Sequence, residues 1–351
     1  MRELIITENE AGQRFDKYLK KYLDKAPASF LYKMLRKKNI TLNEKKADGS
    51  EKLSVGDNVK LFLSDETVDK FSGNTVHTSS VYDITGDIIY EDENILLINK
   101  KSGILSQKAK PCDTSINEYM TDYLLRRGRL TKQQLKTFKP SVCNRLDRNT
   151  SGIIACGVSL MGLQELSRLF KERCLDKYYL AVVAGEVKTG SKIKGCLKKD
   201  EKTNKVMVKE AEDIGEAVVK NLNINMCTKN KLRNEINEIT PDFQYIETEY
   251  KPIGCGEVKG HKYTILRVKL ITGKTHQIRA HLSSIGYPIL GDIKYGNSVE
   301  NSFFKEAYGV KCQLLHAYEL SFNNVKGGLS YLNGQTFKAP EPDIFKRFFK
   351  D

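Results

Sequence analysis

The stretch of residues 144–152 reads Asn-Arg-Leu-Asp-Arg-Asn-Thr-Ser-Gly. It places one carboxylate, Asp147, between two arginines in a turn-forming run, and the strand-like residues Ile-Ile-Ala-Cys follow at 153–156. A carboxylate that guanidinium groups keep ionised can serve as a nucleophile or as an electrostatic stabiliser. Taken alone, such a run favours a structural salt bridge at the start of a strand, so the other motifs of the chain must decide its role.

Further motifs accompany residues 144–152 along the chain. They are residues 88–94, Ile-Ile-Tyr-Glu-Asp-Glu-Asn, which run into residues 95–103, Ile-Leu-Leu-Ile-Asn-Lys-Lys-Ser-Gly; residues 177–181, Lys-Tyr-Tyr-Leu-Ala; residues 272–281, Thr-Gly-Lys-Thr-His-Gln-Ile-Arg-Ala-His; and residues 315–317, Leu-His-Ala. Together they resemble the motifs of the ribosomal large-subunit (RluA-type) pseudouridine synthases, a family that modifies large-subunit ribosomal RNA and some transfer RNA. The resemblance covers roughly residues 83 to 345, and several motifs in order are far more specific than one.

Three positions depart from the family pattern. Asn144 stands where the family commonly has histidine, Lys101 where proline is usual, and Lys274 where arginine is usual. The lysine at 274 keeps the charge but lacks the planar fork of a guanidinium, and the loop at Lys101 lacks the rigidity of proline. None of the three removes a group to which the resemblance gives a catalytic role.

The resemblance implies an enzyme, an RNA pseudouridine synthase that needs no cofactor. Its reaction breaks the N1 glycosidic bond of uridine, turns the base and rejoins it through C5, so nothing is oxidised and no group is imported. The site must supply a nucleophile or ion stabiliser, a dry pocket that retains the freed uracil, and a base drawn out of its stack.

The resemblance assigns catalytic roles to Asp147, Tyr179 and Arg279. The carboxylate of Asp147 could attack ribose C1′, deprotonate C2′ or add to uracil C6, and the sequence leaves the three routes open. Arg279 follows Thr275 in the first helical turn and is expected to pair bidentately with Asp147; the alternatives are a phosphate clamp and a simple surface arginine. Tyr179 is expected to lie against the target base and to transfer a proton through its hydroxyl. Without the motif, a tyrosine at this position of a strand would be interpreted as a core residue.

Four more residues of these motifs are expected to bind the substrate. Arg145 is expected to fill the gap that the flipped base leaves in the RNA, because a planar cation can replace part of the lost stacking. Arg148 is expected to bind a phosphate, and His276 and Gln277 are expected to contact the substrate.

The composition favours a polyanionic partner. The 351-residue chain carries 58 lysines and arginines against 44 aspartates and glutamates, a formal net charge of +14. Charge alone does not separate RNA, DNA and an anionic membrane, and a solvated lysine surface would give the same count. RNA is the predicted partner because the motifs require it.

The sequence also argues against membrane insertion, secretion and metal binding. No apolar run approaches the roughly 18 residues that span a bilayer, and the first residues lack the long apolar region of a signal peptide. The eight cysteines form no C-x-x-C pair, and His276 and His281 lie five residues apart, so we expect reduced cysteines and no metal site. These observations predict a cytoplasmic protein with no membrane partner.

Residues 1–64 are predicted to form a small domain with two amphipathic helices followed by short strands. This pattern resembles the RNA-binding domain named after ribosomal protein S-four, which grips folded RNA through a helix pair and a hairpin. The residues expected to contact phosphates are Arg14, Lys33, Arg36, Lys37 and Lys38. The alternative is a solvated basic helix, but the absence of any acid between Asp24 and Glu44 favours RNA contact.

The rest of the chain is predicted to hold a linker and a catalytic domain. Residues 65–82 are polar and lack periodicity, which indicates a flexible linker. Residues 83–351 are predicted to form an α+β domain with a mixed, largely antiparallel sheet and flanking helices. Within it, residues 108–141 and 209–244 resemble insertions, each either a target-reading arm or an inert elaboration; the basic bias of the first makes it the better candidate for RNA contact.

The leading hypothesis is a monomeric pseudouridine synthase that acts on structured RNA, with large-subunit (23S) ribosomal RNA or a large-subunit precursor particle as the expected partner. One alternative is a non-catalytic RNA-binding ribosome-assembly factor on the same fold; intact Asp147, Tyr179 and Arg279 argue against it. Another is a hydrolase that releases uracil from RNA, which an isomerase would not do. The sequence names neither the target uridine nor the number of targets.

Overall fold

The computed structural model describes residues 1–72, 82–200, 205–210 and 244–349. Contacts divide the chain into two compact units, each built from three segments. The first unit comprises Met1–Ile98, Ser106–Asn144 and Ala155–Arg168, and the second comprises Asn99–Leu105, Arg145–Ile154 and Leu169–Asp351. The chain passes repeatedly from one unit to the other, so neither is a continuous stretch of sequence.

The N-terminal module, residues 1–72, has a sheet and a core of its own. Its elements are β1 (Arg2–Ile5), α1 (Phe15–Tyr22), α2 (Ala28–Arg36), β2 (Ile40–Leu42), β3 (Lys45–Lys46), β4 (Asn58–Leu61) and α3 (Asp65–Phe71). The strands follow the order β1-β4-β2-β3, and every neighbouring pair is antiparallel. The buried side chains of the helices are Phe15, Tyr18, Leu19 and Tyr22 on α1 and Leu31, Met34 and Leu35 on α2. The predicted pair of amphipathic helices and the strands that follow it are therefore confirmed.

Helix α3 corrects part of the predicted linker. The hydroxyl of Ser64 caps this helix by accepting a hydrogen bond from a backbone amide at 3.3 Å, and Val68 is buried. The Phe71 ring lies 4.6 Å from the Phe30 ring, measured between centroids. Two apolar residues three positions apart make too short a pattern for a prediction from periodicity, which explains why the helix was missed. Most of the remaining linker, residues 73–81, lies outside the described residues.

The other part of the first unit contains short strands and two longer helices. Its elements are β5 (Ile88–Glu91), β6 (Ile95–Lys100), α4 (Ile116–Arg126), β7 (Ser141–Val142), β8 (Ser151–Gly157) and α5 (Leu160–Glu172), with 3₁₀ turns at Thr85–Asp87 and Gln134–Lys136. β6, β8 and α5 each have residues in both units. A capping box between Ser115 and Glu118 begins α4 and satisfies backbone amides of its first turn.

The N-terminal module packs on the first predicted insertion, residues 108–141. The Thr137 hydroxyl donates to the Glu10 carboxylate at 2.6 Å, and both groups are buried. The Leu160 amide donates to the Asn9 side chain at 3.1 Å. The module therefore makes direct contact with a part of the predicted catalytic domain.

Most strands of the second unit belong to one sheet. The elements of this unit are β9 (Leu175–Ala184), β10 (Ser191–Lys199), β11 (Val206–Glu210), β12 (Gln244–Val258), β13 (His261–Leu270), α6 (Gln277–Ser284), α7 (Ser298–Tyr308), β14 (Leu315–Phe322), β15 (Thr336–Lys338) and α8 (Asp343–Lys346). The strand order is β11-β10-β12-β13-β9-β14-β8, and β15 pairs with β14. All of these pairs are antiparallel except β14 with β8. The predicted α+β fold with a mixed, largely antiparallel sheet and flanking helices is confirmed.

The core of the second unit fixes the position of the loop that carries Asp147. Residues of β9 and β13 form one buried cluster with Ile278 and Leu282 of α6 and Phe304 of α7. Leu146 belongs to the same cluster. The neighbouring residue, Asp147, therefore sits on a loop whose position the core determines.

Of the second predicted insertion, residues 209–244, only the two ends lie within the described residues. None of the helices in the described ranges has both the length and the hydropathy of a segment that crosses a bilayer. The same ranges contain no group of three or more histidine, cysteine, aspartate or glutamate side chains that could hold a metal ion.

Candidate active site

Lys100 holds the loop that carries Asp147 from one side. Its side chain is almost fully buried, and its ammonium group donates to three backbone carbonyls: Lys101 at 3.1 Å, Ile104 at 2.8 Å and Arg148 at 3.0 Å. Burial lowers the pKa of Lys100 to about 7. Because Arg148 is the next residue after Asp147, Lys100 fixes the backbone on which the carboxylate sits.

A glycine holds the other side of the same loop. Gly152 has a φ of +110°, and a Cβ at this position would lie 2.2 Å from the carbonyl oxygen of Ala317. Only glycine allows β8 and β14 to approach this closely. The Thr150 amide closes the turn by donating to the Asp147 carbonyl at 3.0 Å. The side chain of Asp147 thus projects from a turn with little conformational freedom.

Arg279, on α6, binds two carboxylates at once. Its Nη1 donates to Asp147 Oδ2 at 2.6 Å, while its Nε and Nη2 donate to the two oxygens of Asp292 at 2.6 and 2.9 Å. The expected pairing of Arg279 with Asp147 is therefore present, but the bidentate geometry was assigned to the wrong carboxylate. The buried Asp292 takes the planar fork because it faces Nε and Nη2 together, so Asp147 is bound through Nη1 alone.

The buried charges of this group stabilise one another. Burial alone would lower the pKa of Arg279, but the hydrogen bonds and attraction from Asp292 and Asp147 raise it above its ordinary value. Burial acts to raise the pKa of Asp292, whereas the Arg279 guanidinium and backbone amides hold it below its ordinary value. Both groups therefore remain charged at neutral pH, and Arg279 is a permanent cation beside Asp147.

Tyr179 lies on β9 with its side chain buried. Burial, and then the negative charge of Asp147, raise the pKa of its phenol well above the ordinary value. The hydroxyl is therefore protonated at neutral pH and available as a donor. Within the part of the chain that the structure describes, that hydroxyl makes no hydrogen bond.

His276 occupies a left-handed backbone position, with a φ of 54°, immediately before α6. Its Nε2 lies 3.9 Å from Asp147 Oδ2, and its Nδ1 lies 3.0 Å from the Tyr295 hydroxyl. Burial lowers the pKa of His276, so the imidazole is neutral at pH 7. A neutral, half-buried imidazole beside a carboxylate can orient a substrate without adding a second positive charge.

Residues 94–284, more than half of the chain, match the family model described as RNA pseudouridylate synthase. The chain belongs to this family. It is an RNA pseudouridine synthase, an isomerase, as the ordered motifs predicted.

The synthase is similar to several proteins over three quarters or more of its length. It is 28% identical over 328 residues to a "Ribosomal large subunit pseudouridine synthase C" of Vibrio vulnificus, covering 91% of this chain and 87% of that protein. It is 27% identical over 351 residues to an "Uncharacterized RNA pseudouridine synthase" of Mycoplasma capricolum, covering 99% of this chain and 100% of that protein. The solved structure of "Human RNA Pseudouridylate Synthase Domain Containing 4" shares the fold at a TM-score of 0.52 and 18% identity, over 76% of this chain and 93% of that one.

Gln277 is not placed to contact the substrate, which corrects the expectation for this residue. Its side-chain oxygen accepts from the Thr272 hydroxyl at 2.8 Å and the Lys274 amide at 3.1 Å. Its amide nitrogen donates to the Glu247 carbonyl and the Thr248 hydroxyl, each at 3.0 Å. With every polar atom engaged and 2% of the residue exposed, Gln277 fixes the start of α6 to β12.

The two arginines that flank Asp147 in sequence are both exposed. Neither Arg145 nor Arg148 forms a side-chain ion pair with any residue in the described ranges. Exposed, unpaired guanidinium groups beside a half-buried carboxylate are suited to a polyanionic substrate. Their expected roles, base replacement and phosphate binding, remain predictions.

The residues expected to contact RNA phosphates divide into two groups. Lys33, Arg36, Lys37 and Lys38 are all exposed at the C-terminal end of α2. Arg14 is instead paired with Asp16 through two hydrogen bonds of 3.1 and 3.0 Å, so it is the weakest of the five candidates. Lys45 and Lys46 of β3 are exposed as well, and the sequence does not predict them as contacts because a strand is inferred from its apolar residues.

Asp292 and Tyr295 belong to the site but are not predicted from the sequence. Both follow Gly291, whose φ is +78° and whose Cβ would lie 2.3 Å from the Cys312 carbonyl oxygen. A glycine followed by an aspartate and a tyrosine in a segment without periodicity is a signal for a constrained turn. The signal could have marked the turn, but it could not have indicated that Arg279 is the partner.

Proposed function

We propose that this synthase isomerises uridine in large-subunit ribosomal RNA and that Asp147 is its catalytic carboxylate. The observation that supports the role of Asp147 is its geometry toward Arg279. The guanidinium binds only Oδ2, at 2.6 Å, while Oδ1 has no hydrogen bond to any residue in the described ranges. A carboxylate with one oxygen fixed by a buried cation and the other available to a ligand is suited to attack or to stabilise a cationic ribose.

In the proposed reaction the target base leaves its stack and enters the site beside Tyr179. The N1–C1′ bond breaks, the uracil turns, and a C5–C1′ bond forms; C5 then loses one proton and N1 gains one, so atoms and charge balance. Asp147 acts at C1′, at C2′ or at C6, and the hydroxyl of Tyr179 stands beside the ring to exchange a proton. Arg145 takes the place of the displaced base in the RNA.

The choice of large-subunit RNA rests on two supports. Relatives that span about nine tenths of this chain carry the name ribosomal large subunit pseudouridine synthase. The net charge of +14 and the exposed lysines of α2 fit a large structured RNA. We propose further that residues 1–64 are an S-four-type RNA-binding domain, that residues 83–351 are the catalytic domain, and that the enzyme is a cytoplasmic monomer.

The test is pseudouridine mapping of cellular ribosomal and transfer RNA by carbodiimide primer extension. Three strains are compared: the wild type, a deletion, and the deletion complemented with Asp147→Asn. The proposal expects sites in large-subunit RNA that disappear in the deletion and that Asp147→Asn does not restore. Sites lost only from transfer RNA would overturn the substrate, and sites restored by Asp147→Asn would overturn the role of the carboxylate. Uracil released from RNA by the purified enzyme would instead indicate a hydrolase.

A further inference from the structure

Both oxygens of the Asp292 carboxylate accept hydrogen bonds. Its side chain has no exposed surface. Its Oδ2 accepts from Arg279 Nε at 2.6 Å, and its Oδ1 accepts from Arg279 Nη2 at 2.9 Å, from the Lys294 amide at 2.8 Å and from the Tyr295 amide at 3.1 Å. The backbone amides of its own turn therefore hold the carboxylate in one orientation, independently of Arg279.

The orientation of Asp292 determines that of Arg279. Two parallel hydrogen bonds fix both the position and the plane of a guanidinium group. Once Nε and Nη2 face Asp292, Nη1 is directed at Asp147 Oδ2, 2.6 Å away. The Tyr295 ring, whose centroid lies 5.3 Å from the guanidinium carbon, limits rotation of that plane.

The charges lead to the same conclusion. One guanidinium lies between two carboxylates, and the buried carboxylate of Asp292 takes two of its three hydrogen bonds. A buried arginine without such a partner would turn its fork toward Asp147, the other acid that it binds among the described residues, and Asp147 Oδ1 would then be occupied. Asp292 therefore keeps the second oxygen of Asp147 available.

We propose that Asp292 is a positioning residue of the synthase: it orients Arg279 so that the guanidinium binds one oxygen of Asp147 and leaves the other for the substrate. The inference rests on the catalytic role proposed for Asp147. Asp292 does not touch the substrate, and it acts through Arg279.

The variant Asp292→Asn separates this role from a purely structural one. The amide oxygen of asparagine can keep the bonds from the Lys294 and Tyr295 amides and from Arg279 Nη2. Its –NH2 group would then face Arg279 Nε, donor against donor, so the bidentate pair is lost while the turn is kept. Glu319→Gln is the matched control, because Glu319 is also a largely buried carboxylate paired with an arginine, Arg267, at 2.9 Å.

Two measurements test the proposal on the full-length enzyme. Tritium release from C5-labelled uridine in ribosomal RNA should show kcat reduced about 10- to 100-fold in Asp292→Asn, with KM near the wild-type value, since displacement of a catalytic group by about 1 Å costs rate on this scale. Glu319→Gln should keep the wild-type kcat. In the Arg279→Ala background, Asp292→Asn should add no further loss, because the residue acts through Arg279.

The second measurement does not depend on activity. In the ¹⁵N NMR spectrum the Arg279 Nε–H, assigned by its absence in Arg279→Lys, should be protected from solvent exchange in the wild type and in Glu319→Gln. It should lose that protection in Asp292→Asn. An unchanged Nε–H or an unchanged kcat in Asp292→Asn overturns the proposal, as does a further loss in the Arg279→Ala background. A wild-type enzyme that releases no tritium while the Nε–H responds as expected overturns the proposed function and leaves the orientation of Arg279 by Asp292 supported.

Discussion

The synthase holds its charged residues in two contrasting ways. In the second unit, Arg279 and Asp292 are buried, and the Nε and Nη2 groups of Arg279 donate to the two oxygens of Asp292. In the N-terminal module, Lys33 and Arg36 stand exposed on α2, and Lys37 is exposed directly after it. Removing one partner from a buried pair leaves an uncompensated charge and costs about 3 to 5 kcal/mol, whereas exposed pairs contribute about 0 to 1 kcal/mol.

The difference explains what each region can do. A buried pair holds a fixed geometry, which a reaction at a single ribose carbon requires. An exposed cation on a flexible side chain can follow a phosphate backbone whose path varies, and it adds affinity with little geometric demand. Substitutions in the first region should therefore change the rate, and substitutions in the second should change RNA affinity and its dependence on salt.

The largest effect is expected at Asp147. Asp147→Asn should lower tritium release by about 10⁴-fold or more, because the amide cannot act as a nucleophile or base. The fold should be kept, since the amide oxygen can still accept from Arg279. Asp343→Asn, which changes an exposed aspartate on α8, is the control and should retain full activity. Activity above roughly a tenth of the wild type in Asp147→Asn would remove this residue from the chemistry.

Tyr179→Phe should have the next largest effect. It keeps the ring and removes the hydroxyl, so kcat should fall about 100-fold, the scale of a general acid or base, with little change in KM. Burial holds the pKa of this phenol well above its ordinary range, so the ionisation of Tyr179 should not contribute to the pH–rate profile between pH 6 and about 9. Tyr178→Phe is the control: that ring packs under the Arg267 guanidinium at 3.7 Å and should tolerate the change. Equal losses in both variants would indicate a packing effect in β9.

The motifs of the sequence predict the first region, and its hydrophobic periodicity predicts the second. The ordered motifs placed Asp147, Tyr179 and Arg279 together, and the structure brings Arg279 to Asp147 at 2.6 Å. The amphipathic spacing of α2 separated buried from exposed residues correctly. Each kind of prediction rests on many residues, so an ambiguous residue at one position does not change it.

Two of the errors, those at Asp292 and Gln277, have the same physical cause: their hydrogen-bond partners are distant in sequence. Asp292 was missed, and Gln277 was assigned to the substrate, because neither the bidentate partner of Arg279 nor the carbonyl at Glu247 can be inferred from spacing. Arg14 was overvalued for a local reason, since its partner Asp16 lies only two residues away. Helix α3 was missed because it relies on a cap and very few apolar contacts.

The burial of Lys100 should make the free energy of unfolding depend on pH. The unfolded chain holds this proton up to about pH 10.4, whereas burial lowers the pKa of Lys100 in the folded state to about 7. The unfolded state therefore binds more protons between these values, and stability rises with pH across the window, by about 1.4 kcal/mol per pH unit for one group. The free energy of unfolding of the wild type, measured in urea from pH 7 to 10 and compared with that of Lys100→Met, should rise relative to the variant by about this slope. A constant difference across the window would show that Lys100 keeps its proton in the folded state.

The smallest effect is expected on the basic surface of α2. Lys33→Gln combined with Arg36→Gln should reduce the slope of log affinity against log salt by about 1.4 to 1.8, because each phosphate contact contributes about 0.7 to 0.9. Tritium release at saturating RNA should be unchanged, since neither residue belongs to the site around Asp147. Arg14→Gln should change the slope less, because Asp16 already pairs with that guanidinium, and Lys305→Gln on α7 is the control with one exposed lysine removed from the second unit. If the control lowers the slope as much per charge as the α2 variant, affinity follows net charge alone and α2 has no particular role in RNA binding; a larger effect from α2 would locate the phosphate contacts on that helix.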